Sequence, residues 1–192
     1  TRAPISRKET HGVIASDSGD AVFTNFEPAN ARRAFALFDE PSFKVPFQLT
    51  LTVPKHLVAL SNTPVEKESV SGAFKTITFA RTTPLPSYLF AFAVGPFELL
   101  DAGKAGKNQV PVRIVVPRGS AARAKAAVEQ TKEVIERLEA WFGSPFPYPK
   151  LDMIAVTNTG FSGAMENPGL VTWSQTSLLA GATGDTISRR RG

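Results

Sequence analysis

The residues able to do chemistry in this chain are few. There is no cysteine among its 192 residues, so disulfides, thiolate catalysis and Cys-based metal sites are excluded together. The two histidines, His11 and His56, stand far apart, and neither has a Ser/Asp partner or metal-ligand spacing around it. Gly160-Phe161-Ser162-Gly163 approaches a nucleophile elbow, but Ala164 takes the place of the second glycine. No P-loop and no dinucleotide fingerprint occurs. These residues do not build a self-sufficient hydrolase. What remains is Gly163-Ala164-Met165-Glu166-Asn167, a single carboxylate among small residues in a glycine-containing loop.

The elements that must position this segment are legible from periodicity. Residues 46–54 alternate Phe47, Leu49, Leu51 and Val53 with Gln48, Thr50 and Thr52, the period-two pattern of a half-buried strand. Shorter apolar runs at 58–60, 74–79 and 88–94 are separated by turn residues such as Ser61-Asn62-Thr63-Pro64, which predicts a sandwich or open β-domain. The polar segment 101–108 marks a boundary. Beyond it a buried strand is expected over 110–116 and a helix over 120–142, with Ser120 as N-cap and Gly143 and Pro145 as its stop. Ala124, Ala127, Val128, Thr131, Val134, Ile135, Leu138, Trp141 and Phe142 fall on one face of that helix, and charges at i,i+4 fall on the other. Strands follow at 153–156 and 169–173.

Gly163 to Asn167 resembles the exopeptidase signature of the aminopeptidase N family of zinc metallopeptidases, the gluzincin aminopeptidases. A fixed pentapeptide arises by chance on the order of once in a million positions. Pro168-Gly169-Leu170-Val171-Thr172 and Phe146-Pro147-Tyr148-Pro149-Lys150-Leu151-Asp152 continue the resemblance. So do Phe26-Glu27-Pro28, Ala31-Arg32-Arg33-Ala34-Phe35, Asp39-Glu40-Pro41-Ser42-Phe43-Lys44, Leu60 to Val65 and Tyr88 to Phe92. The likeness runs from about residue 11 to residue 173. It implies an α+β fold: over 1–103 the C-terminal part of a mostly antiparallel N-terminal β-domain, lacking its earliest strands, then over 104–192 the opening strand-helix-strand part of a thermolysin-like α/β catalytic domain, truncated before the zinc-binding helix.

It also implies roles. An aminopeptidase must tell a free α-ammonium from an internal amide, and a partly desolvated carboxylate does so because a neutral nitrogen leaves its charge unpaired. Glu166 matches the signature glutamate, and Glu27 the second one, supplied by the β-domain. Gly163 and Ala164 are expected to offer backbone groups to an extended peptide. Met165 lines the first side-chain pocket or packs in the core. Asn25 stands where the family carries Gln, which shortens its reach; Asn30 replaces Asp, and Ala36-Leu37 replaces Pro-Cys. Arg32, Arg33, Asp39 and Glu40 read as structural ion pairs.

The family's H-E-x-x-H helix, third zinc ligand and later Tyr have no counterpart here, so zinc is expected in a longer parent protein and its ligands are absent from this chain. The chain reads as a portion truncated before the zinc-binding helix, inactive alone, with peptides bearing a free N-terminus as partners. The alternative is a non-catalytic module that binds free N-termini. A third reading, an anion binder using Arg189-Arg190-Arg191, is weak. The net charge of +5 falls to +2 without that tail, and no basic stripe interleaved with aromatics remains to bind nucleic acid. No apolar run is long enough to span a membrane.

Overall fold

The computed structural model describes residues 4–158 and 161–179; the arginine tail lies outside them. In chain order the strands are β1 (Ile5–Ser6), β2 (Gly12–Ala15), β3 (Val22–Asn25), β4 (Lys44–Val45), β5 (Thr50–Pro54), β6 (Val58–Ser61), β7 (Val65–Ser71), β8 (Phe74–Phe79), β9 (Leu85–Pro86) and β10 (Phe92–Gly95). Then come β11 (Phe97–Ala105), β12 (Val110–Pro117), helix α1 (Lys125–Phe142), β13 (Leu151–Val156), β14 (Ala164–Met165), β15 (Leu170–Ser174) and the short α2 (Gln175–Leu178).

Four layers stack. The three-stranded sheet β5-β8-β7 packs through Val53, Ile77 and Phe79 onto Ala59 and Val94 of the five-stranded sheet β1-β2-β3-β10-β6. The other face of that sheet presents Ile14, Phe23, Leu60 and Ala93 to Val115, Ile154 and Leu170 of the second five-stranded sheet, β11-β12-β13-β15-β14. The far side of this second sheet, through Ile114, Val116 and Ala155, receives α1. Adjacent residues such as Ala93 and Val94, or Val115 and Val116, serve opposite faces because strand side chains alternate. The result is a β-domain followed by the start of a mixed α/β sheet, in which β12, β13 and β15 run parallel.

Particular elements depart from expectation. The run 88–94 is a 3-10 turn at Ser87–Leu89 before β10 begins. The polar segment 101–108 falls in the hairpin joining β11 to β12, and the chain passes from one large sheet to the other at Pro96. Ser120 makes no side-chain cap, and Ala121–Ala124 forms a 3-10 turn that seats the fully buried Ala124 before α1 proper starts. Gly143 ends the helix in the left-handed conformation, as its sequence signal implies.

The apolar face of α1 divides. Thr131, Ile135 and Glu139 are buried, whereas Val134, Leu138, Trp141 and Phe142 are 49–85% exposed. Only one helical stripe meets the sheet. Val134, Leu138 and Phe142 border a groove of about 710 Å³ that runs over Met153, Val171 and Trp173. The buried Glu139 carboxylate accepts the N–H groups of Lys107 and Phe146, tying the β11–β12 hairpin to the chain beyond the helix.

Among the fourteen phenylalanines, Phe26, Phe35, Phe47 and Phe90 form one aromatic cluster. Phe35 meets Phe26 and Phe90 edge-on at 5.7 Å each, and Phe47 stacks on Phe90 at 4.7 Å.

Candidate functional site

The signature segment is an edge hairpin. β14 pairs antiparallel with β15 and with no other described strand, so its outer side is an open sheet edge. The turn Asn167-Pro168-Gly169-Leu170 closes the hairpin, with the Leu170 N–H donating to the Asn167 carbonyl and Gly169 at φ 71°. Pro followed by a left-handed Gly is the pattern of a type II turn. The side chain of Asn167 is buried and donates to the Thr172 hydroxyl at 3.4 Å.

Register decides which backbone groups are free. The Ser174 N–H donates to the Gly163 carbonyl at 2.8 Å, so Gly163 faces β15. Ala164, opposite Trp173, is then in the non-hydrogen-bonded pair and turns its N–H and C=O to the open edge. Gly163 is exposed at φ 74°, with open space where a β-carbon would stand. Its glycine therefore answers to backbone conformation rather than crowding. Met165 is 3% exposed and packs in the core between the two large sheets with Phe23, Phe161 and Leu170. Of the two uses the sequence left open for it, the core is the one it occupies.

Glu166, next along, is exposed. Glu27, just beyond β3, is exposed as well, and its peptide bond to Pro28 is cis. Neither carboxylate is held by a side-chain hydrogen bond or ion pair among the described residues. Phe23, four residues before Glu27, lies at the junction of the two large sheets with Phe161, five residues before Glu166, whereas Phe26, beside Glu27, packs within the β-domain. Phe23 packs edge-on against Phe161 at 5.8 Å, and Phe26 joins the aromatic cluster that contains Phe90. Asn25 is 7% exposed; its amide donates to the Thr10 carbonyl at 2.8 Å, and its carboxamide oxygen is buried with no partner among the described residues. The shorter side chain is thus committed to its own domain.

Beneath the hairpin lies a buried charge cluster. Asp152 receives a bidentate pair from Arg113, both bonds 2.7 Å, and the Lys150 ammonium at 2.8 Å. Burial pushes Lys150 below its ordinary value, opposed by the Asp152 carboxylate, while the hydrogen bond to Asp152 raises Arg113. Lys150 and the Asp152 N–H both donate to the Gly169 carbonyl. From the other side Asn62, in the β-domain, donates to the Pro168 carbonyl at 2.9 Å. Sequence reasoning took Asn62 only as part of the turn after the apolar run 58–60 and gave its amide no task. Arg32 and Asp39 do form a structural pair, completed by the Ser87 hydroxyl, and Arg33 pairs with Glu9.

Among the described residues no three of His, Cys, Asp and Glu converge as metal ligands. The described residues alone do not fit a zinc site. No described helix is long and apolar enough to cross a membrane.

Comparison with known proteins now bears on this geometry. Residues 7–89 match the Peptidase M1 N-terminal domain and residues 126–191 the Peptidase family M1 domain. Aminopeptidase M1-A of Oryza sativa subsp. japonica is 44% identical over 166 residues, 86% of this chain and 19% of that protein. Aminopeptidase M1 of Arabidopsis thaliana is 40% identical over 156 residues, 81% of this chain and 17% of its own length. Aminopeptidase N of Acetobacter pasteurianus is 34% identical over 180 residues, 90% of this chain and 50% of that protein. The chain thus spans half or less of each of these relatives. With matches to both M1 domains and a fold of β-domain followed by the start of the catalytic domain, the chain belongs to the M1 aminopeptidase family, of which it carries the N-terminal portion.

Proposed function

We propose that the protein containing this chain is a zinc-dependent aminopeptidase that removes N-terminal residues from peptides, and that this chain supplies the grip on the substrate's amine and backbone. The observation that carries the reading is the open edge strand β14, which ends on the exposed Glu166. An extended peptide laid along that edge pairs with the free N–H and C=O of Ala164 as an added strand. Its first residue then comes up against Glu166. A protonated amine has three donors and no acceptor, so two carboxylates approaching from different elements hold it better than one. Glu27, just beyond β3 in the β-domain, is the second acceptor in this reading. An acetylated or internal nitrogen has no charge to return, and both carboxylates would be desolvated without a partner. That asymmetry makes the enzyme an exopeptidase. Zinc supplies an activated water in such an enzyme when bound, and its ligands come from residues other than those described.

The test uses the full-length protein. Glu166→Gln should lower kcat/KM for peptides with a free N-terminus by a factor of about ten to a thousand, the scale of a lost charge-assisted contact. It should also narrow the gap between free and acetylated substrates. An unchanged kcat/KM would leave the amine assignment without support.

A further inference from the structure

Between the two large sheets most contacts are apolar and carry no direction. Ile14, Phe23 and Leu60 press on Val115, Ile154 and Leu170, which holds the layers together and tolerates small slides. Among the described residues directional bonds across this junction are few, and only one of them ends beside Glu166. It belongs to Asn62, immediately after β6 and 3% exposed.

The Asn62 carboxamide is almost fully used. Its Nδ2 donates to the Leu89 carbonyl and to the Pro168 carbonyl, each at 2.9 Å, and its Oδ1 accepts the Ala91 N–H at 2.8 Å. Turning the amide over would set its oxygen against two carbonyls and its NH₂ against an N–H, so only this orientation is satisfied. One small planar group therefore joins the backbone on both sides of Phe90 to the turn two residues past Glu166. The joint is also tight: a β-carbon on Gly169 would collide with the Asn62 carbonyl oxygen. On its far side the same turn is gripped by Lys150 and the Asp152 N–H through the Gly169 carbonyl. Residues 167–169 are thus pinned from the β-domain above and from their own sheet below.

We propose that Asn62 is a positioning residue for the amine site: it fixes the end of β14 against the β-domain, and so fixes Glu166 relative to Glu27. This rests on the reading of the two glutamates given above. A cation held between carboxylates from two domains requires their separation to be set by the junction, because neither side chain is held by another described residue. Buried bonds with one allowed geometry do that, where apolar packing does not.

The experiment is a double-mutant cycle in the full-length protein, with amino-acid p-nitroanilides and their N-acetyl forms as substrates. Asn62→Asp keeps the size and the acceptor for Ala91 but loses both donors and sets an oxygen against the Leu89 and Pro168 carbonyls. It should lower kcat/KM on free amines about tenfold to a hundredfold, the scale of a catalytic geometry displaced by about an ångström. The free-to-acetyl ratio should fall with it, at a temperature where the variant is fully folded. Because Asn62 acts through Glu166, the pair Asn62→Asp/Glu166→Gln should lose no more than Glu166→Gln alone. Losses that multiply, or an Asn62→Asp enzyme with unaltered kcat/KM beside a crippled Glu166→Gln, would overturn the positioning role and leave the amine site standing. An unaltered Glu166→Gln would overturn both. Should Asn62→Asp not fold, Asn62→Ser, which removes the opposing oxygen, runs the same cycle with the same deciding outcomes.

Discussion

Gly169 and Asn62 lie in backbone contact across the junction of the two large sheets, close enough that Gly169 has no room for a side chain. Gly163, six residues earlier in the same hairpin, has an equally left-handed φ but faces open space. The two glycines separate conformational cost from crowding. Gly163→Ala should destabilise the chain by about 1–2 kcal/mol, the cost of a left-handed alanine. Gly169→Ala should cost clearly more, because the two backbones must also part. Denaturant unfolding of both variants tests this, and equal losses would mean that the junction yields to a methyl group.

The 192-residue chain alone should not hydrolyse amino-acid anilides or naphthylamides, with or without added zinc. No three potential ligands converge among its described residues, and zinc hydrolysis needs three protein ligands and an open position. Zinc-dependent turnover above a purified control, abolished by Glu166→Ala, would place a metal centre within these residues and defeat the expectation.

The helix α1 offers a contrast between two stripes. Ile135, 5% exposed, sits on Val112 and Leu151, whereas Leu138, 49% exposed, borders the open groove. Ile135→Ala should cost about 2–5 kcal/mol as a buried truncation. Leu138→Ala and Trp141→Gln in this chain should each cost less than about 1 kcal/mol, since little surface is removed from water there. Similar losses at Ile135 and Leu138 would mean that the groove is closed in solution.

What was legible in the sequence follows from how local each cause is. The Thr50/Thr52 alternation declared a half-exposed strand, and those hydroxyls do pair with Thr78 and Thr76 on the outer face of β5 and β8. Gly143 announced its own left-handed cap. The signature at 163–167 was visible because five fixed residue types are improbable. Other features were hidden because their causes are distant in sequence. Nothing near Leu138 or Trp141 says that the sheet beneath reaches only one helical stripe. Ser120 carries a good cap residue type but sits before a 3-10 turn set by the burial of Ala124. The use of Met165 depended on Phe23, 142 positions away, and that of Asn62 on Pro168, 106 positions away.

The last expectation concerns acid. Asp39 is 3% exposed, and burial alone would raise its carboxyl; the Ser87 hydroxyl, the Arg32 N–H and the Arg32 guanidinium outweigh that and hold it below the ordinary aspartate value. Glu139 is likewise held low, chiefly by the Phe146 N–H and also by that of Lys107, against the opposing effect of burial. A carboxyl whose folded value is depressed binds fewer protons folded than unfolded in the interval between the two values. Its stabilisation is complete above the ordinary value and is lost as pH falls through the folded one. The melting temperature of the chain should therefore stay level from neutrality down to the ordinary carboxylate range and drop below it. Asp39→Asn and Glu139→Gln should each lower Tm at about pH 7, and the gap to the parent chain should narrow as pH falls below the ordinary carboxylate range, where the unfolded parent chain takes up protons that the folded one does not. Melting curves at constant ionic strength decide the matter. A gap that stays constant with pH would show that each carboxylate contributes through shape alone, and a gap that widens in acid would reverse the sign derived from its hydrogen bonds.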